Sequence, residues 1–366
     1  VFTTVIRRFK AGNALRAFVG AVSLSLAWSM AGITPAVAQA TAPQPRAETA
    51  QPAAKKTFKI FIIAHRSGAG TDDGFMEYFK SRNIAAEFTW RSTDGDNKRI
   101  PGYIAEIRAM KPDLVFVLST DVALDVVGQY DKVDPAKHLT DIPVVFSQVG
   151  DPVGSRLVTD LEHPGRNVTG TVHLVPISIQ LKAMQSYNPR TTPLKRLAVI
   201  YNPKEAYGRF MIGELRRLTT EQGITLIEGT PLNEKGDADK EMIVPTLQKL
   251  ADQKPDLLYV PSVSFFGPHS KLLTEEAVAR KLPIFAAIEV QLVQGKGLMG
   301  LVSPFYLVGQ FSAYKAEQIL VNNVPAKDIP IETLKRFSLI INMGVAKELE
   351  LYPPISAFRF AQMGPN

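Results

Sequence analysis

The residues of this chain best placed to do chemistry stand just past short apolar runs. Ser67, Ser119, Thr120 and Gln148 do so in the first half; Tyr201, Asn202, Glu205 and Tyr207, then Ser262, Ser264, Phe265 and Phe266, then Glu289, do so in the second. A helix that starts after a strand has unpaired backbone N–H groups and a partial positive field at its first turn. Ser119 and Thr120 at such a start suit a carboxylate, with simple helix capping as the alternative. Tyr201, Tyr207 and Phe265, with Phe305 and Tyr306 further on, offer planar faces to an apolar body; aromatic pairs are worth about 0.5–1.5 kcal/mol beyond burial. For Phe266, packing inside a core is the expectation. Asn202, Gln148 and Glu289 are candidates to orient a ligand, and Ser67 and Ser262 add hydroxyls.

Catalysis asks for more than this. The turn His65-Arg66-Ser67-Gly68-Ala69-Gly70, with Gly74 beyond it, superficially resembles a dinucleotide loop. Its third glycine is displaced, and Trp90 and Arg91 end the next strand where an acidic residue is required. The five histidines, at 65, 138, 163, 173 and 269, have no metal-ligand spacing on a helix. His163 falls in a turn, where capping or solvation is expected. No serine sits in a G-x-S-x-G elbow, and Asn167-Val168-Thr169, a glycosylation pattern, reads as structural. A binding protein with no cofactor, no metal and no catalytic residue is therefore expected.

The elements that must position these groups alternate. Residues 58–64, 85–91, 114–118 and 142–146 are apolar and rich in β-branched side chains, as buried strands are. Helical patterns cover 72–82, with Phe75, Met76 and Phe79 on one face, and the stretch carrying Ile104, Ile107 and Met110, capped by Asp94 or Asp96. After the fourth strand, Asp151 is placed to cap a short helix with Pro152 in its first turn and Leu157, Val158 and Leu161 on its apolar face. Pro164 and Gly165 stop it, and 167–170 opens another strand. A second series follows: strands at 197–201, 224–228, 257–261, 284–287 and 298–302, a helix at 204–222, and another interrupted by Pro245. A helix at 307–321 and a strand at 337–341 come last. This is the arithmetic of a parallel α/β sheet repeated in two lobes.

Particular residues carry a resemblance to a known family. The order Asp151-Pro152-Val153-Gly154, Leu157-Val158, then Pro164-Gly165-Arg166-Asn167-Val168-Thr169-Gly170 resembles the substrate-binding proteins of ABC transporters of the tryptophan/tyrosine-type group. Lys111-Pro112-Asp113, Tyr201-Asn202-Pro203, Tyr259-Val260-Pro261, Ile329-Pro330 and Pro353-Pro354 follow in that family's order, so the resemblance spans about residues 58–360. It implies the type I periplasmic-binding-protein fold, two doubly wound Rossmann-like lobes with a hinge of three crossovers. Lobe one would comprise 57–172 plus 304–333, and lobe two 173–303 plus 334–362. The implied function is to close on a small amphipathic carboxylate, an aromatic or branched amino acid or the corresponding acid, and deliver it to an ABC permease in the inner membrane. In that reading Ser119 and Thr120 hold the carboxylate, and Tyr201, Phe265 and Tyr207 hold the apolar body. The chain departs from its relatives at Ser262-Val263-Ser264, where they commonly carry Thr-Asp-Asn. Glu289 or Glu205 could replace the lost acid; if neither does, the ligand is a carboxylate without an amine. A ligand sensor for a membrane receptor is the nearest alternative, and a secreted α/β enzyme the next.

The N-terminus reads as an address. Arg7, Arg8, Lys10 and Arg16 precede an apolar stretch at 17–30, and Ala36-Val37-Ala38 supplies a small-residue cleavage site. Residues 1–38 are thus expected to be a cleaved signal peptide leading to the periplasm. A membrane anchor is the alternative, but serines and Gly32 interrupt the stretch, and spanning needs about 20 apolar residues. Residues 39–56, rich in Ala, Pro, Gln and Thr, form an expected disordered linker. The whole chain carries 42 basic and 35 acidic side chains, a net +7. Without the four basic residues of the signal it carries 38 against 35, a net +3. No basic stripe with interleaved aromatics remains, so nucleic acid is not an expected partner. With no cysteine, disulfides, thiolate metal sites and lipoprotein anchoring are excluded. A monomer is expected.

Overall fold

A computed structural model describes residues 56–64, 70–188 and 193–364. Ser67, the signal segment and nearly all of the linker lie outside them. In the first lobe the strands are β1 (Phe58–Ala64), β2 (Ala86–Ser92), β3 (Leu114–Leu118), β4 (Val144–Ser147) and β5 (Val168–Val172), with helices α1 (Thr71–Ser81), α2 (Ile100–Met110) and α3 (Thr120–Val127) between them. In the second come α4 (Ile177–Ser186), β6 (Arg196–Ile200), α5 (Ala206–Glu221), β7 (Thr225–Gly229), α6 (Ile243–Asp252) and β8 (Leu257–Val260). It continues with α7 (Ser270–Ala279), β9 (Ile284–Ala286), α8 (Val290–Val293) and β10 (Met299–Val302). The chain closes with α9 (Phe305–Leu320), β11 (Glu332–Thr333), β12 (Ser338–Ile341), α10 (Met343–Leu349) and β13 (Ala361–Met363).

Two sheets result, ordered β11-β5-β4-β3-β1-β2 and β13-β12-β10-β9-β8-β6-β7. Every pairing is parallel except β10 with β12. Both faces of the first sheet are covered, which explains its near-continuous apolar strands. Successive residues of β1 alternate faces: Ile60 and Ile62 pack with Phe75, Phe79 and Ala313, whereas Phe61 and Ile63 pack with Ile104, Ile107 and Val126. The Phe75 ring stacks on Phe116 at 3.9 Å between centroids.

The chain crosses between sheets three times: after β5, after β10 and after β11. This is the type I periplasmic-binding-protein arrangement. Helix α9 returns to the first sheet and packs on α1, β4 and β5. Gly74 and Gly309 permit that packing, because a Cβ on the first would collide with the Tyr306 carbonyl and on the second with that of Thr71. Gly74 is thus a helix-packing residue inside α1.

Two local expectations are corrected. Residues 151–163 form successive turns, not a helix. Asp151 Oδ1 accepts from Gly154 N at 2.8 Å, and the Pro152 carbonyl accepts from both Leu157 N and Val158 N. Arg156 then takes a left-handed φ of 63°, which ends any helical continuation. Leu157 and Val158 are still fully buried while Leu161 is exposed. The Arg166 guanidinium secures the segment by donating to the carbonyls of Leu157, Gly128 and Val127. Pro245 does not interrupt a helix; it lies in the first turn of α6, where the N–H it lacks has no helical acceptor anyway. Asn167, as expected, is structural: its amide donates to the carbonyls of Leu139 and Ile142 at 3.2 and 2.7 Å.

Candidate functional site

In both lobes the parallel strands carry their polar residues beyond their carboxyl ends, where open α/β sheets bind ligands. At the end of β3, Ser119 has a φ of 92° and its Oγ caps α3 by accepting from Val122 N at 3.4 Å. Its own N–H donates to the Ser147 carbonyl. Thr120 opens the helix, half-buried, and Asp121 follows it in the first turn. At the end of β4, Gln148 has a φ of 58° and donates from Nε2 to Thr71 Oγ1 at 2.7 Å. The starts of α1 and the β4 loop are thereby joined.

Lobe two presents a denser network. Glu205, just before α5, accepts from Ser264 N at 2.7 Å, Phe265 N at 3.0 Å and Asn202 Nδ2 at 3.1 Å. Asn202 Oδ1 accepts from Lys204 N. Glu205 therefore holds the loops after β6 and β8 together, and most of its acceptor capacity is engaged. Glu289 Oε2 accepts from Phe305 N at 3.1 Å, fixing the start of α9 to the loop after β9. The Tyr201 hydroxyl donates to Glu228 at 2.9 Å; burial and then that carboxylate push its pKa up to about 12. The ring of Tyr201 is buried in the core of the second lobe, packed in one cluster with Met211 and Leu215. Phe265 meets the edges of Phe266 and His269 at 5.4 and 5.1 Å, and Phe266 is fully buried, as expected of a core residue.

The structure brings Tyr207 and the loop after β4 together across the lobes. A methyl group on Gly150 would stand 3.9 Å from Tyr207 Cγ. Burial and then the charge of Asp151 raise the Tyr207 pKa above its usual value. Asp151 thus lies close enough to an aromatic of the opposite lobe for its charge to act on it, a placement hidden from sequence reasoning by its apparent role as a helix cap.

His173 was likewise invisible as a site residue. It follows β5 at the first crossover, its Nε2 lies 3.0 Å from Ser262 Oγ beyond β8, and its ring meets the edge of Phe305 at 5.8 Å. Burial lowers its pKa to about 4, so the imidazole is neutral. Nδ1 is buried with no hydrogen-bond partner among the described residues. No sequence spacing marks such a residue, because its surroundings come from three separate segments. No group of three or more acidic or histidine side chains able to hold a metal occurs among the described residues.

The chain belongs to the family of ABC transporter substrate binding proteins, whose profile matches residues 59–356. Members of that family are substrate-binding proteins that work outside the cytoplasmic membrane with a permease, and they are not enzymes. Among curated relatives, the chain is 25% identical over 300 residues, 79% of each chain, to a tyrosine-binding protein of Clostridioides difficile. The fold resembles that of an ABC domain from Streptococcus pneumoniae solved in complex with L-Trp, at 20% identity and a TM-score of 0.69, covering 85% of this chain and all of that one. A ligand-free, open substrate-binding protein of Clostridium difficile matches with 22% identity and a TM-score of 0.66, over 84% of this chain and 99% of that one. No helix among the described residues is long and apolar enough to cross a membrane.

Proposed function

We propose that this protein is the periplasmic component of an ABC importer, exported by a cleaved signal at 1–38 and tethered or extended by 39–56. It acts as a monomer that binds a small amphipathic carboxylate between a lobe of 57–172 plus 304–333 and a lobe of 173–303 plus 334–362. The permease reads the closed state, so the ligand selects a conformation and is not transformed. The observation that carries this reading is Tyr207 of one lobe standing over the Gly150–Asp151 loop of the other. In this reading an aromatic face and a carboxylate share the crevice with the helix start at Ser119 and Thr120.

The ligand's carboxylate is assigned to Ser119 and Thr120, and its apolar body to Tyr207 and Phe265. Glu205 is engaged by two backbone N–H groups, whereas Asp151 and Glu289 each accept from one; the nearness of Asp151 to Tyr207 supports Asp151 as the partner of an α-amine. That the relatives include a tyrosine-binding protein and an L-Trp complex supports an aromatic amino acid. A thermal-shift screen of aromatic and branched amino acids beside their deaminated acids tests the reading. At 1,000 times its dissociation constant a ligand stabilises by about 4 kcal/mol, which raises the melting point by several degrees. Stabilisation by an aromatic amino acid is the expected result, and a flat response to both sets would overturn it.

A further inference from the structure

His173 stands where three segments meet at the mouth of both sheets. It leaves the carboxyl end of β5, touches the serine beyond the carboxyl end of β8, and packs against the first residue of α9. Parallel strands of both lobes end on this side, where open α/β sheets bind ligands, and the ring is buried at the seam between the lobes. One ring nitrogen is partnered by Ser262 and the other by nothing among the described residues, although it is buried. A buried polar atom left unpaired is costly and rare in native proteins, and the side chain is only 9% exposed.

We propose that His173 is a ligand-contacting, specificity-determining residue whose Nδ1–H donates to the carboxylate of the bound ligand. The proposal rests on the reading of the crevice as the binding site. Either atom of the Ser262 Oγ–His173 Nε2 pair can donate; with the hydroxyl as donor, the ring proton lies on Nδ1. Ser119 and Thr120 then supply one side of the carboxylate's surroundings and His173 the other. A neutral donor takes an anion without the cost of burying a second charge. The same arrangement disfavours a ligand that offers only donors at this end, such as an aromatic amine lacking the carboxylate.

Substitutions distinguish the two ring positions. An Asn side chain can place an amide N–H near the site of Nδ1, whereas a Gln side chain reaches toward the site of Nε2 and Ser262. With L-tryptophan and indole-3-propionic acid as probes, His173→Gln and His173→Phe are expected to weaken binding about 10- to 100-fold, and His173→Asn to recover most of that loss. A merely structural histidine would show no such preference. In the wild-type protein, ¹⁵N spectra of the five histidines should place His173 in the Nδ1–H tautomer and shift that nitrogen on addition of the probe. This second readout stands even where a variant fails to fold. Equal affinity in wild type, His173→Gln and His173→Phe, or an Nε2–H tautomer in the complex, would overturn the role of His173 while leaving the binding site intact. Failure of both probes to bind wild type would overturn the site and this role together.

Discussion

Two carboxylates near the crevice differ in what they are free to do. Glu205 is engaged by two backbone N–H groups and an amide, so its removal leaves one exposed and two part-buried donors without their acceptor. Glu205→Ala should cost about 1–3 kcal/mol, seen as a melting point lower by a few degrees in the absence of ligand. Asp151→Asn keeps an acceptor for Gly154 N, so its melting point should stay near that of wild type. Its affinity for tryptophan should fall about 10- to 100-fold, the worth of a charge-assisted bond to the amine, while that for indole-3-propionic acid holds. His173 contributes a pH dependence of determined sign. Its folded pKa of about 4 lies below the ordinary 6.5, so the unfolded chain binds the proton more readily. The contribution is complete above pH 6.5 and is lost as pH falls toward 4, roughly 3 kcal/mol in all. Denaturant titrations across that range should show a steeper loss in wild type than in His173→Asn. Of these residues, only Glu205 was legible as a site candidate in the sequence. Asp151 was legible as a cap and His173 not at all, because neither the lobe-to-lobe approach of Tyr207 nor the meeting of β5, β8 and α9 leaves a local pattern.

At the scale of elements, hydrophobic patterning located most strands to within a residue or two, since parallel strands covered on both faces read as unbroken apolar runs. It failed where tertiary bonds outweighed local preference. The 151–163 segment carries a capping residue and a helical apolar spacing, yet the left-handed Arg156 and the bonds from Arg166 hold it in turns. The antiparallel pairing of β10 with β12 was also unreadable, because strand order depends on where the late crossover returns. The packing of α1 on α9 makes a prediction at this scale. Gly309→Ala places a methyl group against the Thr71 carbonyl and should destabilise by about 1–3 kcal/mol, read as a lower denaturant midpoint. Because Thr71 also holds Gln148, the shift should propagate to the loop after β4 and weaken ligand binding as well.

At the scale of the molecule, the three crossovers are joined to one another. Thr333 Oγ1 donates to the Leu174 carbonyl at 3.2 Å, and the His173 ring meets Phe305. Lys315, almost fully buried, donates to Glu332 and to the Pro330 carbonyl. The connections between lobes thus form a braced hinge about which two lobes can close, and their number was legible only through the resemblance, not through periodicity. Closure over an apolar body carries a thermodynamic signature that mere surface adsorption lacks. The most direct measurement of the central claim is a calorimetric titration of the protein with L-tryptophan and L-tyrosine at several temperatures. Saturable binding of one ligand per chain, with a negative heat-capacity change from apolar burial, is the predicted result. The absence of saturable heat with these amino acids, and with their deaminated acids, would contradict the account of a crevice built for an amphipathic carboxylate.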